Sequence, residues 1–332
     1  MILSILLLLL GLVLLWFGSD FVIESAKKLA SKLRVSHLFI GLTIVSIGTS
    51  LPEIFTNIYS AFSNLRGVFA SGVAVGIVVG SSITQMTLVV GIVALMGSLK
   101  SGKKTLVRDI PIIFLAILLT FLAGLDGFVS RLEGLILVIT YMVYLFFLSR
   151  DEHRERKDGL LKEPLDAVEI KSDVLKKKPL LAALLMLLGL GLLVLGSKFV
   201  VDNALIIAGS LNLTQTFVGV LIIGVGGCIP ELSIALRGIT RRARGISLGA
   251  LIGSNITNPL FALGAGTLIS GFSFNKSLLA FELPFWALSL ITVAVLLKKK
   301  ASVGLREKKQ GLLLIGLYAF FVLMKIVFFR HV

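Results

Sequence analysis

The sequence is poor in charged residues, which make up 15% of its 332 positions. A soluble domain carries roughly 25%, so the chain has too few charges for an ordinary solvated surface. Hydrophobic residues reach 56% and the mean hydropathy is +1.01. Apolar stretches long enough to cross a bilayer as helices recur along the chain. Because the period-two alternation of barrel strands is also lacking, the sequence predicts an all-α membrane protein.

Cysteine and histidine are nearly absent. The single Cys228 excludes an intramolecular disulfide and a multi-cysteine metal site. Three scattered histidines, His37, His153 and His331, disfavour a histidine-based metal centre. A paired-aspartate motif and a Ser/His dyad are lacking too, so an intramembrane enzyme is disfavoured and no cofactor is expected.

The basic residues, which give a net charge of +15, cluster at the ends of the apolar stretches. This distribution indicates membrane topology rather than nucleic-acid binding. Met1 to Phe17 has no basic segment before it, so a first transmembrane helix is favoured over a cleaved signal peptide. Ten spans are predicted, at roughly 2–26, 36–64, 69–97, 106–125, 130–149, 179–200, 214–237, 246–270, 278–297 and 311–329.

Placing the N-terminus outside puts most of the 33 Lys and Arg in the five cytoplasmic connections. This bias predicts a multi-pass protein of the cell membrane with both termini outside. The only long polar segment, 150–178, is expected to be a cytoplasmic linker between halves 1–149 and 179–332. A regulatory ion-binding loop is the alternative for that segment.

The two halves repeat. Gly18-Ser19 recurs as Gly196-Ser197, and Pro52-Glu53 as Pro230-Glu231, at one constant offset. Further on, Gly80-Ser81 recurs as Gly253-Ser254 at a slightly shorter offset. Five spans per half is an odd number, so the copies must be oppositely oriented. The sequence therefore predicts two inverted five-helix repeats, an architecture of many secondary transporters.

Two related hexapeptides lie at the centre of this repeat, residues 48–53 and 226–231. Each combines Gly and Pro, which weaken a helix, with a glutamate in a long apolar stretch. A carboxylate at membrane depth is costly and indicates a functional site. Because no Lys or Arg lies in the same spans at that depth, Glu53 and Glu231 each need a bound cation or a proton.

Further polar side chains lie at helical spacing inside neighbouring spans. Ser81 and Gln85 are four residues apart and share a helix face, as do Ser254 and Asn258. Thr49 and Ser50 precede Glu53, whereas Gly227 and Cys228 precede Glu231. Isolated Ser and Thr in membrane helices often only bond their own backbone. Asp20, Glu24, Asp202 and Glu282 lie nearer span ends and are interpreted as interfacial or access-path groups.

These motifs resemble those of the cation/Ca²⁺ exchanger superfamily, and most closely those of prokaryotic Na⁺/Ca²⁺ exchangers. Gly48-Thr49-Ser50-Leu51-Pro52-Glu53 matches the first family motif intact, and Gly-Ser-Asn-Ile at 253–256 matches part of the second. The resemblance implies alternating access by sliding of the first and sixth spans. It also implies central ligands and flanking Na⁺ sites, formed here by Glu53, Glu231, Gln85, Asn258, Ser81, Ser254, Thr49 and Ser50.

Several positions depart from the family pattern. Gly227 and Cys228 stand where the second repeat usually has Thr-Ser, which removes two hydroxyls although both positions stay in the predicted site. Gln85 replaces the usual Asn, and Ile77 stands where a polar residue is common. Asn258, where Asp is frequent in prokaryotic and K⁺-dependent members, argues against K⁺ dependence. Na⁺ coupling is therefore less firmly indicated than the fold.

The function favoured by these residues is secondary-active exchange of Ca²⁺ for Na⁺, with both ions competing for Glu53 and Glu231. Two carboxylates would be neutralised by one Ca²⁺ or by two protons. A Ca²⁺/H⁺ or other divalent-cation exchanger is therefore the alternative, and a passive cation channel is a third class. The expected partners are the lipid bilayer, Ca²⁺ and Na⁺, with no nucleic acid, and a monomer is expected.

Overall fold

The computed structural model of the chain describes residues 1–30, 39, 41–96, 105–157, 179–240, 244–298 and 305–328. These residues are mostly helical. The α-helices are α1 Ile2–Ala30, α2 Ser46–Thr49, α3 Leu51–Leu65, α4 Ser71–Thr84, α5 Val90–Met96, α6 Ile110–Ala123, α7 Arg131–Lys157, α8 Pro179–Ser210, α9 Gln215–Val218, α10 Gly224–Gly227, α11 Ile229–Thr240, α12 Arg244–Thr257, α13 Gly264–Ser270, α14 Leu283–Lys298 and α15 Leu305–Phe328.

Six π-helical segments interrupt or open these helices. They are π1 Gly41–Val45, π2 Gln85–Val89, π3 Thr105–Asp109, π4 Gly219–Ile223, π5 Asn258–Leu263 and π6 Leu278–Glu282. Two short strands, β1 Phe128–Val129 and β2 Phe272–Ser273, pair antiparallel, with Phe128 opposite Ser273. The strands connect a turn of the first half to one of the second.

Seven helices among the described residues are long and apolar enough to cross a membrane. They are Ile2–Val22, Ser71–Met96, Arg131–Arg154, Leu184–Ser210, Gln215–Leu236, Leu278–Lys298 and Lys308–Phe328. This finding confirms a predominantly helical, multi-pass membrane protein, while the count of ten spans stays a prediction.

Three expected spans, 36–64, 106–125 and 246–270, are not among these seven. In the first, the helix is interrupted at Ser50, and residues 36–38 and 40 lie outside the described part. The third span holds the polar cluster that starts at Ser254. Helix α7 continues to Lys157, beyond the expected start of the linker, and residues 158–178 lie outside the described ranges.

Unlike a soluble protein, this bundle exposes many large apolar side chains on its outer helices. Helix α4 is buried over nearly its whole length, whereas the outer helices expose large apolar side chains such as Leu187 (66%) and Phe146 (64%). Apolar patches of this extent are rare on soluble monomers. Helix α4 is therefore the central helix, and the bundle around it presents an apolar exterior.

Helices α1 and α8 pack directly against each other through glycines. A Cβ on Gly11 would lie 2.9 Å from the Gly196 carbonyl oxygen, and one on Gly196 would lie 2.9 Å from that of Gly11. Gly18 and Gly189 make the same reciprocal contact at 2.8 Å. Small residues let membrane helices approach this closely. The sequence repeat relates Gly11 to Gly189 and Gly18 to Gly196. The two glycine contacts are therefore related to each other as in a two-fold symmetric interface.

The π-helical segments recur in the two halves in the same order and at the repeat offset. Segment π1 corresponds to π4, π2 to π5, and π3 to π6. Segments of this type are rare and frequently mark functional sites. In π5, Pro259 removes a backbone donor and so favours the irregular turn. The repeat seen in the sequence is thus also a repeat of helix irregularities.

Candidate cation-binding site

Both hexapeptides contain a helix break of the same shape. Helix α2 ends at Thr49, Ser50 has φ −80° and ψ 0°, and α3 resumes at Leu51 with its proline in the first turn. In the second copy, Cys228 has φ −78° and ψ −3°, and α11 resumes at Ile229. Proline suits a first turn because its missing N–H would have no intrahelical acceptor there. Each helix is thus interrupted, at Ser50 or Cys228, about one turn before its glutamate.

The two breaks place Glu53 and Glu231 in the first turns of α3 and α11. The positive end of a helix dipole stabilises negative charge at such a position. Both side chains are fully buried, and none of their four carboxylate oxygens has a hydrogen-bond partner among the described residues. The carboxylates lie close enough to interact electrostatically. A pair of buried carboxyl groups in this state requires cations or protons.

Thr49 and Ser254 line the Glu231 side of the site. Their hydroxyl oxygens are 3.1 Å apart, and both lie beside the Glu231 carboxyl group. The Thr49 hydroxyl donates to the Ser46 carbonyl at 3.2 Å. The first hexapeptide therefore places a hydroxyl oxygen beside the carboxyl group of the second.

The Glu53 side is lined differently. Ser81 lies beside the Glu53 carboxyl group, but Gly227 offers no side chain there. A Cβ on Gly227 would lie 2.9 Å from Glu53 Oε1 and 3.8 Å from Ile77 Cδ1. The isoleucine that departs from the family pattern thus faces the same corner as the missing hydroxyl.

Asn258 and Cys228 both contact Ser81. Asn258 Nδ2 donates to Ser81 Oγ at 3.1 Å, and the Asn258 side-chain oxygen has no hydrogen-bond partner among the described residues. The Cys228 sulfur lies 3.0 Å from the Gly224 carbonyl oxygen and 3.3 Å from that of Ser81, so its single S–H proton is shared between two backbone acceptors. Asn258 is therefore oriented with an oxygen available, whereas the thiol is directed at backbone.

Gln85 bonds to a residue outside the predicted ligand set. Its side-chain oxygen accepts a hydrogen bond of 2.7 Å from Asn255 Nδ2. Its Nε2 has no hydrogen-bond partner among the described residues. Ser50, the remaining predicted residue, is buried, and its hydroxyl is likewise without a partner in the described part of the chain.

Three residues beside the site were missed by sequence reasoning. Asn57 donates to the Glu53 carbonyl at 2.9 Å and to the Ala74 carbonyl at 3.3 Å, and its spacing of four residues from Glu53 was an available signal. Asn255 was visible in the polar cluster of its span. Trp286 donates to Asn255 Oδ1 at 3.2 Å, and nothing in the sequence connects that tryptophan to the site.

Within the described residues, no group of three or more His, Cys, Asp or Glu could hold a metal ion. Oxygen-only ligation of a hard cation uses carboxylates, carbonyls, hydroxyls and amides. The residues brought together here are of that kind.

Asp202 and Glu282 have partners outside this cluster. The Tyr59 hydroxyl donates to Asp202 at 3.0 Å, which joins α3 to α8. Glu282 was expected near an interface, but it is fully buried and forms an ion pair with Lys325 of α15. The carboxylate of Glu24 lies outside the side chains that the structure describes.

A cavity of ≈ 190 Å³ adjoins the site. Leucines and Trp16 of α1 form one wall, and Pro52, Gly226, Gly227 and Pro230 form the other. Because a Cβ on Gly227 would lie 2.9 Å from Glu53 Oε1, the wall of this cavity opposite α1 lies beside a site glutamate.

Comparison with known proteins assigns the chain to a family. A family model described as sodium/calcium exchanger protein matches residues 3–150 and 181–327. The sodium/calcium exchanger MaX1 of Methanosarcina acetivorans is 30% identical, covering 96% of this chain and 97% of its own. An uncharacterized membrane protein of Methanocaldococcus jannaschii is 29% identical, with 93% and 94% covered.

A solved structure agrees with these relatives. The sodium-calcium exchanger NCX_Mj soaked with Na⁺ and Ca²⁺ superposes with a TM-score of 0.65 at 27% identity, covering 99% of both chains. The matches include both hexapeptides and confirm the resemblance predicted from the motifs. The chain therefore belongs to the sodium/calcium exchanger family and is a membrane cation antiporter.

Proposed function

We propose that this antiporter exchanges Na⁺ for Ca²⁺ by alternating access, with Glu53 and Glu231 as ligands shared by the two ions. The observation that carries the proposal is the pair of fully buried carboxylates at two helix breaks, without hydrogen-bond partners among the described residues. Since one pair of charges cannot serve both ions at once, competition for it couples the two fluxes.

The proposed ligands balance the charge of the transported ion. Two carboxylates neutralise one Ca²⁺, which takes six to eight oxygen ligands. Neutral oxygens come from hydroxyl groups and from the Asn258 amide, which presents its oxygen. The neutral side chains that we assign to the site are Thr49, Ser50, Ser81, Ser254 and Asn258, with Gln85, Gly227 and Cys228 forming the wall around them.

We assign the chain a ten-helix architecture of two inverted five-helix repeats, 1–149 and 179–332, joined by the cytoplasmic segment 150–178. The reciprocal glycine contacts between α1 and α8 and the paired π-helical segments support this assignment. The clusters of basic residues support termini outside the cell membrane. The protein is expected to act as a monomer.

Alternating access would come from sliding of α1 and α8 across the rest of the bundle. These two helices pack directly on each other through glycines, with Gly11 against Gly196 and Gly18 against Gly189. The cavity between α1 and the hexapeptides supplies room for such a movement. Movement of α1 would change access to the site without rebuilding the ligands themselves.

The test is Na⁺-gradient-driven ⁴⁵Ca²⁺ uptake into proteoliposomes. Replacing either central carboxylate, Glu53→Gln or Glu231→Gln, is expected to abolish uptake because a neutral amide cannot balance Ca²⁺. Asp126→Asn is the matched control, since Asp126 is an exposed carboxylate whose side chain accepts a hydrogen bond from the Phe128 backbone N–H. Wild-type uptake by either glutamine variant would contradict the proposal.

Exchange of Ca²⁺ for protons is the second candidate, because Gly227 and Cys228 remove hydroxyl ligands that Na⁺ would use. The same vesicles distinguish the two candidates when a pH gradient replaces the Na⁺ gradient. Uptake driven only by the pH gradient would favour the proton-coupled exchanger. Uptake that never exceeds the equilibrium distribution under either gradient would indicate a passive channel.

A further inference from the structure

Helix α3 carries a line of polar side chains beyond Glu53. Thr56 and Asn57 lie one turn further along the helix, and Ser60 lies two turns further. All three side chains are fully buried. Because residues three and four positions apart are neighbours on a helix surface, the line runs from the central carboxylate toward the turn at 66–70. None of the three belongs to the ligand set proposed above.

The oxygens of this line lack partners in the protein. Thr56 Oγ1, Asn57 Oδ1 and Ser60 Oγ have no hydrogen-bond partner among the described residues. Asn57 Nδ2 donates to the carbonyls of Glu53 and Ala74. Since a carbonyl can only accept, these two bonds fix the amide with its oxygen free. Buried polar atoms left without a partner are costly, so the three oxygens require water or an ion.

Other buried hydroxyls of the bundle are satisfied by their own helix. Ser82, Thr87 and Ser289 each donate to the carbonyl four residues earlier, at 2.8, 2.6 and 2.8 Å. This is the ordinary way in which Ser and Thr are accommodated in membrane helices. Thr56 and Ser60 form no such bond. Their hydroxyls are therefore directed away from their own backbone, toward what lies between the helices.

The line lies beside α8, one of the two helices that we propose to slide. Tyr59, next to Ser60, donates from its hydroxyl to the Asp202 carboxylate of α8 at 3.0 Å. Tyr59 is also three residues beyond Thr56, so the two occupy adjoining parts of the helix surface. Asp202 and Tyr59 are only half-buried. A half-buried carboxylate thus lies beside the far end of a line of buried oxygens that leads to Glu53.

The second half of the chain does not repeat this line. At the offset of the repeat, its three positions are occupied by Ile234, Ala235 and Gly238. None of these side chains carries an oxygen, although Glu231 occupies the position of Glu53. The line is therefore not a consequence of the helix break, which both halves share, but a feature of the first half alone.

We propose that Thr56, Asn57 and Ser60 form a transit site, which holds a cation on its way between Glu53 and the outer surface. Hydroxyl and amide oxygens are ligands of hard cations, and the Asp202 carboxylate attracts positive charge to the entrance. The proposal rests on the proposed Na⁺/Ca²⁺ exchange and on the proposed topology, which places the turn at 66–70 outside. Because such a site lowers the barrier for entry and exit alike, it changes rates and leaves the equilibrium affinity of the central site unchanged.

A cysteine in the line tests whether cations reach it from outside. Cys228, the only native cysteine, is buried, so Ser60→Cys adds a single new target. Thiol-reactive methanethiosulfonates that do not cross membranes are applied to right-side-out vesicles. A positively charged reagent is expected to react at least about tenfold faster than a negatively charged one, relative to a free thiol, because the path attracts cations. Reaction is expected to block exchange.

The matched control for this labelling is Ser289→Cys. Ser289 is equally buried, but its hydroxyl donates to the Phe285 carbonyl of its own helix. The cysteine at this position is expected to stay unreactive toward both reagents, because it lies in the packed interior and away from the proposed path.

Removal of the hydroxyls tests the effect on transport. Thr56→Val/Ser60→Ala deletes two oxygens with little change of shape. In Na⁺-loaded right-side-out vesicles, uptake at sub-saturating external ⁴⁵Ca²⁺ is expected to fall about three- to tenfold, the loss that corresponds to one or two neutral ligands. Equilibrium ⁴⁵Ca²⁺ binding to the purified protein is expected to keep the wild-type dissociation constant. Ser289→Ala should change neither quantity.

The outcomes separate the inference from the function on which it rests. Wild-type vesicles without Na⁺-driven uptake would overturn the proposed function itself. With wild-type uptake present, the inference is overturned if Ser60→Cys reacts no faster than Ser289→Cys, or shows no preference for the positive reagent, because the line then holds water only.

The double variant decides if Ser60→Cys fails to fold. Wild-type uptake by Thr56→Val/Ser60→Ala would contradict the transit site. A weakened equilibrium affinity of that variant would contradict it too, since the two hydroxyls would then be ligands of the central site. Slower uptake at an unchanged dissociation constant supports the inference.

Discussion

The two halves of the chain share their helix breaks but not the side chains placed at them. Three π-helical segments and one glutamate-bearing break recur at equivalent positions in each half. The hydroxyls of the first break are replaced by glycine and cysteine in the second. Backbone irregularity is therefore the shared framework of the site, and the side chains on it have diverged separately.

A second comparison lies at the ends of π3 and π6, where Asp109 and Glu282 occupy equivalent positions. Asp109 pairs with the adjacent Arg108 at 2.7 Å, and Arg108 reaches the half-exposed Asp151 at 3.2 Å. Glu282 instead pairs with Lys325 from a different helix, and both side chains are fully buried. The Asp109 cluster extends to the half-exposed Asp151, whereas the Glu282–Lys325 ion pair is buried between π6 and α15.

Among substitutions that test this difference, Lys325→Met is expected to cause the largest loss of stability. Removing one partner of a buried ion pair leaves an uncompensated charge and costs about 3–5 kcal/mol. Thermal unfolding of the purified protein in detergent measures the loss. The double variant Lys325→Met/Glu282→Gln removes both charges and should recover most of the stability. A single variant as stable as the wild type would show that the pair does not hold α15 in place.

A smaller effect is expected where the halves cross at α4. A Cβ on Gly80 would press on the backbone of Val220, including its carbonyl carbon at 2.8 Å. Overpacking of this kind costs about 1–3 kcal/mol, and backbone atoms cannot rotate away. Gly80→Ala should therefore lower the unfolding temperature, whereas Gly191→Ala should not, because nothing lies within 4 Å of its Cβ position. Equal unfolding temperatures would contradict the close crossing.

The grouping of many candidate-site residues was predictable because they follow helical spacing and an internal repeat. Glu53 and Glu231 were proposed as ligands from the cost of a carboxylate in an apolar stretch, and the structure buries both. The orientation of Gln85 could not be identified, because it depends on Trp286, which is distant in sequence and reaches the site only through Asn255. The burial of Glu282 was missed for the same reason, since its partner comes from the last helix.

The smallest effect on stability is expected in the Asp109 cluster, at Asp151. Asp151→Asn removes one contact of Arg108, but Arg108 keeps its bond to Asp109, and the side chain of Asp151 is 49% exposed. Solvent-exposed ion pairs contribute about 0–1 kcal/mol, and salt screens them further. The unfolding temperature of Asp151→Asn should therefore stay close to that of the wild type and should differ least at high salt. A loss of stability comparable to that of Lys325→Met would mean that the ion pairs of Asp109 and Glu282 are equally shielded from solvent. The two halves would then differ only at the cation site and its approach.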